Sequence, residues 1–241
     1  MKWRTAISTQ KDKELYVRGS RLTDLIKKAS FIESIFLILR GQFPKKKEAK
    51  ILEAVFVSMI EHGVEVPSAF IARSVASTGN SPHTALAAGI LAMGDFHGGA
   101  IEQAARYIQS KETPRAVVTQ ALKNKERLPG YGHKVYKAGD PRVRALLEKT
   151  QELQLSQTYI KRARAIEREL KRASGISVPL NIDGAVAAVI SELGFDWQLG
   201  KSFFVLGRLP GLIAHVAEEQ KNEKPYRRLD SDDIEYIGPP F

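Results

Sequence analysis

The 241-residue chain contains no cysteine, which removes both a disulfide framework and a thiolate metal site. Long apolar runs are also missing. The longest, around Ala85 to Met93, is too short to span a bilayer. No apolar core follows Met1-Lys2-Trp3-Arg4 in the manner of a secretion signal. The expectation is a cytoplasmic protein that does not contact a membrane. No internal repeat, low-complexity linker or charge block divides the sequence. Strand-like alternation is confined to the neighbourhood of Glu14 to Arg18, where a short N-terminal β-hairpin is expected.

What remains is helical. Phe31, Ile32, Ile35, Phe36, Ile38 and Leu39 fall at helical spacing up to Gly41, and Ala49, Leu52, Val55, Phe56 and Met59 form the face of a next helix expected to end near Gly63. Pro67 to Ser77 and Ser81-Pro82 to Met93 supply two more, the second Ala-rich enough to pack closely. The formal net charge of +10 invites a nucleic-acid reading, with Lys45-Lys46-Lys47 and Lys161-Arg162-Ala163-Arg164 through Lys171-Arg172 as its carriers. Against it, Tyr159, Ala163, Ile166 and Leu170 form an apolar stripe, while Glu167 and Glu169 interrupt the positive face. No aromatic-interleaved RNA signature appears. The charge is better read as a field that steers an anionic substrate, and no nucleic-acid partner is expected.

Three glycine-rich breaks carry chemistry. In Gly130-Tyr131-Gly132-His133-Lys134-Val135-Tyr136-Lys137-Ala138-Gly139-Asp140-Pro141-Arg142, the glycines permit tight turns that present His133 at a loop end. Asp140 reads as an N-cap and Pro141 as the first helical residue, ahead of Val143, Leu146, Leu147 and Leu153. Arg142 then lies in a first turn, where free N–H groups and the helix dipole favour an anion. Such a segment is also ordinary punctuation. Two further breaks shift the balance: Gly94-Asp95-Phe96-His97-Gly98-Gly99-Ala100 holds a second histidine, and Pro179-Leu180-Asn181-Ile182-Asp183-Gly184-Ala185 sets Asp183 beside a capping Asn181.

These motifs, in order, together with Gly207-Arg208-Leu209-Pro210-Gly211-Leu212-Ile213-Ala214-His215, resemble the citrate synthase superfamily from about Glu61 to Tyr236-Ile237-Gly238-Pro239. Within it the chain is more similar to the citryl-CoA lyase branch, which includes the citrate synthase-like module of ATP-citrate lyase. Gly94-Asp95-Phe96 stands where synthases usually have Gly-Pro-Leu, and Glu61-His62-Gly63 leading to Pro67-Ser68 stands where they carry Asn-Ala-Ser. Much of their N-terminal region has no counterpart. The resemblance implies an all-α fold with a large helical domain in two parts, residues 1–100 and 194–241, and a small helical domain, 101–193, inserted between them.

It also implies roles. His97 would stabilise the enol(ate) of acetyl-CoA, His133 would act on the hydroxyl of the citryl group, and Asp183 would exchange a proton with carbon. Arg142 and Arg208 would hold carboxylates of oxaloacetate or citrate, as planar forks suit. His62 would contact oxaloacetate and Lys137 a CoA phosphate. Arg227 or Arg228 falls where a synthase partner subunit adds a further arginine. His83 and His215 read as structural. The implied reaction cleaves citryl-CoA to acetyl-CoA and oxaloacetate, with no metal and no cofactor beyond the coenzyme A of the substrate, in a homodimer or larger homo-oligomer. The alternatives are a short citrate synthase, a non-catalytic subunit of a larger complex and, last, a nucleic-acid-binding module.

Overall fold

The computed structural model describes residues 2–132 and 139–239. The fold is all-α apart from a small N-terminal sheet. Strands β1 (Ser8–Lys11), β2 (Glu14–Val17) and β3 (Ser20–Arg21) pair antiparallel in chain order. Lys11 faces Glu14 across a two-residue turn in which Asp12 and Lys13 have φ of 51° and 63°, the left-handed conformation such hairpins need. All of β1 is exposed, so its partner strand alone showed apolar alternation in the sequence.

Eleven α-helices follow among the described residues: α1 (Leu22–Lys28), α2 (Phe31–Arg40), α3 (Lys46–Val57), α4 (Pro67–Ser77), α5 (Pro82–Leu91), α6 (Ala100–Ile108), α7 (Pro114–Lys123), α8 (Pro141–Glu152), α9 (Thr158–Ser174), α10 (Ile182–Glu192) and α11 (Gly200–Asn222). None of these is long and apolar enough to cross a membrane.

Local chemistry sets several ends. Ser30 and Glu33 form a reciprocal capping box at α2, and Gly41 closes it with φ 77°. Asp140 caps α8 and Asn181 caps α10 as their sequence positions suggest. One expectation is corrected. α3 stops at Val57 rather than near Gly63, whose φ of 90° serves the turn around His62 instead. Pro210 lies inside α11, which loses one backbone N–H there. The stripe of α9 is Ile160, Ala163, Ile166 and Leu170, with Tyr159 only half-buried beside it. Its exposed face is internally paired, Arg164 to Glu167 at 2.8 Å and Arg172 to Glu169 at 2.7 Å.

Packing divides the chain into two units. The first comprises 1–59 and 98–207, and the second 60–97 and 208–241. These boundaries follow contacts and differ from 100/101 and 193/194, which follow from the resemblance.

In the first unit α10 is the axis. Val186, Ala187, Ala188, Val189 and Ile190 are each 0 % exposed, so the helix is apolar all round, and α3, α6, α8 and α9 pack against it. Phe36, Phe195 and Phe203 add an edge-to-face series with centroids 5.1 and 4.8 Å apart.

In the second unit α4 and α5 cross closely because Gly89 has no side chain. A Cβ there would stand 2.8 Å from the Ser68 carbonyl oxygen and 3.0 Å from Ala72 Cβ.

Candidate active site

Ser68 is fully buried in the first turn of α4, directly after Pro67, where helical N–H groups have no intrahelical acceptor. Its N–H donates to His97 Nε2 at 3.4 Å, and its hydroxyl lies 2.8 Å from the same nitrogen. A backbone N–H only donates, so Nε2 accepts and the ring proton of the neutral imidazole sits on Nδ1. Burial, then the nearby charge of Arg208, then His62, hold the His97 pKa below its ordinary 6.5. At neutral pH His97 is therefore an uncharged donor aimed by Ser68. Its own N–H closes a turn onto the Gly94 carbonyl at 3.1 Å.

Arg208 is 4 % exposed on α11. Three residues on, Gly211 lets the 60–63 turn rest on the helix, since a Cβ there would stand 2.6 Å from the Ile60 carbonyl oxygen and overlap the Glu61 carboxylate. Glu61 Oε1 accepts the N–H groups of His62 and Gly63, both at 2.7 Å. Burial pushes the Glu61 carboxyl up, but these donors and His215 outweigh it and hold it below the usual value. The second unit thus gathers His62, Ser68, His97 and Arg208, three of which the sequence had singled out.

In the first unit the Gly130–Gly132 turn is stitched to the start of α10. Asn181 N–H donates to the Gly130 carbonyl at 3.0 Å, Gly132 N–H to the Pro179 carbonyl at 2.7 Å, and Asn181 Nδ2 to the Gly132 carbonyl at 2.9 Å. Asn181 Oδ1 accepts the Gly184 N–H at 3.1 Å, which leaves Asp183 half-buried in the first turn of α10. Two glycines make this approach feasible. A Cβ on Gly130 would lie 2.9 Å from Gly184 Cα, and one on Gly184 would lie 2.6 Å from Leu180 Cδ1 and overlap the Gly130 carbonyl.

Two tyrosines, Tyr131 buried and Tyr107 half-buried, fasten the turn. Tyr131 donates to the Ala163 carbonyl at 2.8 Å and Tyr107 to that of Pro129, and burial drives both phenols above 10, so they remain donors. Arg142 stands where expected, in the first turn of α8, with Nη2 donating to Asp140 at 2.7 Å and Nε at 3.1 Å. Asp140 and Arg144 line a groove of about 890 Å³ together with Lys161, Arg164, Arg168 and Pro179. His133 and Lys137, which complete this set in the sequence reading, lie outside the described residues.

The family of the citrate synthase C-terminal domain matches residues 44–229. The chain belongs to the citrate synthase family. Among solved structures, a citryl-CoA lyase from Hydrogenobacter thermophilus superimposes with a TM-score of 0.94 and 47% identity, covering 99% of this chain and 95% of that one. The ATP citrate lyase from Methanothrix soehngenii, solved with citrate and coenzyme A, gives a TM-score of 0.86 and 26% identity over 100% of this chain but 42% of its own. Citrate synthase 2 of Bacillus subtilis is 30% identical over 212 residues, 86% of this chain and 56% of that protein. The chain spans a little over half the length of the curated citrate synthases it matches.

The remaining residues of this citrate synthase-family chain have other neighbours. Arg227 places Nε 2.6 Å from Glu219 Oε1 and Nη2 2.7 Å from Oε2, while Arg73 reaches the same buried carboxylate at 2.7 Å. Burial raises the Glu219 carboxyl, and the two guanidinium groups override that and lower it. Arg228 lines a separate surface groove of about 780 Å³ with Tyr226 and Leu229. His83 is exposed at the start of α5, 3.3 Å from Ser81 Oγ. His215 lies between Glu61 and Arg73, 3.2 and 3.3 Å away.

Ser68, Glu61 and Glu219 were missed as site-building residues. The signals for Ser68 were its place after a Pro at a helix start and in the Pro67-Ser68 motif; that its N–H meets a ring 29 residues later is a tertiary fact.

Proposed function

We propose that the chain is a citryl-CoA lyase that cleaves (3S)-citryl-CoA to acetyl-CoA and oxaloacetate, using acid/base groups and no cofactor beyond the coenzyme A of its substrate. The observation that carries this reading is the His97 imidazole, neutral and presenting Nδ1–H because Ser68 occupies Nε2. A neutral donor of that kind suits the oxygen of a developing thioester enolate.

His133 accepts the proton of the tertiary hydroxyl, the adjacent C–C bond breaks, and the hydroxyl carbon becomes the ketone of oxaloacetate. The bonding pair passes into the enolate, whose oxygen meets His97. The carboxyl of Asp183 then gives its proton to carbon, completing acetyl-CoA. Arg142 and Arg208 hold substrate carboxylates, with His62 on the oxaloacetate half, Lys137 at a CoA phosphate and Arg228 as the further anion contact. For Arg227, the fork on Glu219 argues for a structural role. The similarity to the Hydrogenobacter protein over nearly all of both chains supports the lyase over other members of the family.

A short citrate synthase is the second reading, favoured by the relatives of that name. It must bring water to the thioester after condensation, whereas a lyase gains by excluding it. Two assays on one preparation separate them: oxaloacetate release from citryl-CoA, and free thiol release from acetyl-CoA plus oxaloacetate. Fast oxaloacetate release with slow thiol release is expected. Comparable rates make the chain a synthase, and no turnover in either assay from a folded sample makes it a subunit that needs another chain.

A further inference from the structure

The carboxylate of Glu61 sits at one end of a directed chain of hydrogen bonds. Arg73 Nη1 faces His215 Nδ1 at 3.3 Å, and a guanidinium can only donate, so Nδ1 accepts. The proton of a neutral His215 is then on Nε2, which donates to Glu61 Oε1 at 3.2 Å. Arg73 itself is fixed by Glu219 at 2.7 Å and Glu218 at 2.5 Å, with its side chain 8% exposed. An ion cluster built on the buried Arg73 and Glu219 thus holds His215 in one tautomer, and His215 holds the carboxylate that accepts both N–H groups of the His62–Gly63 turn.

We propose that Glu61 is a positioning residue, which through this chain fixes the His62 turn on α11 so that His62 meets the anionic keto-acid half of the substrate in one orientation. The inference rests on the assignment of His62 to oxaloacetate made above. Glu61 touches the backbone of the turn, so its influence on ligand passes through His62. A residue that merely stabilised the unit would be felt equally with and without the imidazole.

The test is a double-mutant cycle read by calorimetric titration with oxaloacetate, using Glu61→Ala, Glu61→Gln, His62→Ala and the double variants. Glu61→Ala is expected to weaken binding roughly tenfold in the native background and by less than about twofold in His62→Ala. Glu61→Gln, which keeps one accepting oxygen and the volume, should lose less, and carries the cycle if the alanine variant does not fold. Additive effects overturn the proposal, as does native affinity in Glu61→Ala, an inert His62→Ala, or a wild-type chain that binds no oxaloacetate. Citryl-CoA cleavage is measured separately. A chain that shows the coupling but does not cleave upholds Glu61 and sinks the lyase.

Discussion

At the scale of single residues, His97 makes the sharpest statement about pH. Its folded pKa lies below 6.5, so between the two values the unfolded chain binds more protons; folding is penalised as pH falls from 6.5 through the folded value, and the penalty is absent above 6.5. The acid limb of kcat/KM that belongs to His97 should therefore fall below pH 6.5, checked by an NMR titration of the ring alongside the pH–rate profile. A midpoint at or above 6.5 would contradict the burial argument.

Asp183→Asn keeps the shape of the α10 start and removes the proton, so kcat should drop by about a hundredfold or more with citryl-CoA still bound. A loss within about threefold, in a step limited by chemistry, would end the acid assignment. Both residues were singled out as candidates in the sequence from motif order. The group that fixes the His97 tautomer was not, because the Pro67-Ser68 pair does not tell which ring it meets until α4 and the 94–97 turn are brought together. Arg227 shows a related limit. An arginine near a motif does not reveal that a buried Glu219 has taken its fork.

Among elements, the α4–α5 crossing joins stability to the site. A side chain on Gly89 meets the Ser68 carbonyl, which is backbone and cannot yield cheaply, on the same turn whose N–H holds His97. Gly89→Val should cost about 1–3 kcal/mol by overpacking and lower turnover as well. Gly94→Ala is the control, since nothing lies within 4 Å of its would-be Cβ. Thermal melts of the two decide it, and equal Tm values would mean that the helices separate without cost.

Helix existence was readable where period and caps agree, as at Gly41, Asp140 and Asn181. It failed at Gly63, whose positive φ belongs to a turn rather than a helix end. The 60–63 turn rests on α11 at Gly211, a contact between segments about 150 positions apart, which local pattern does not encode.

For the whole molecule, charge and exposed apolar surface pull in opposite directions, and assembly is where they meet. A net charge of +10 opposes self-association, and its repulsion is screened by salt. Yet Leu91 is 84% exposed and Phe96, beside His97, is exposed without any shielding, while Ile60, Val64, Phe70 and Ile213 of the same unit are about half exposed. Apolar side chains of this size, one of them next to a candidate acid/base group, suit an isologous contact with a second copy. A specific interface of that kind buries roughly 1,200–2,000 Å² in total.

The chain should therefore run as a dimer or larger at micromolar concentration, with a mass by light scattering at least twice that of one chain. Because the attraction is apolar and the repulsion electrostatic, raising salt from low to about physiological strength should tighten the dimer, opposite to the weakening expected of an interface built on ion pairs. A monomeric mass at both salt concentrations, together with full citryl-CoA turnover, would show that one copy suffices and that Leu91 and Phe96 are exposed for some other reason.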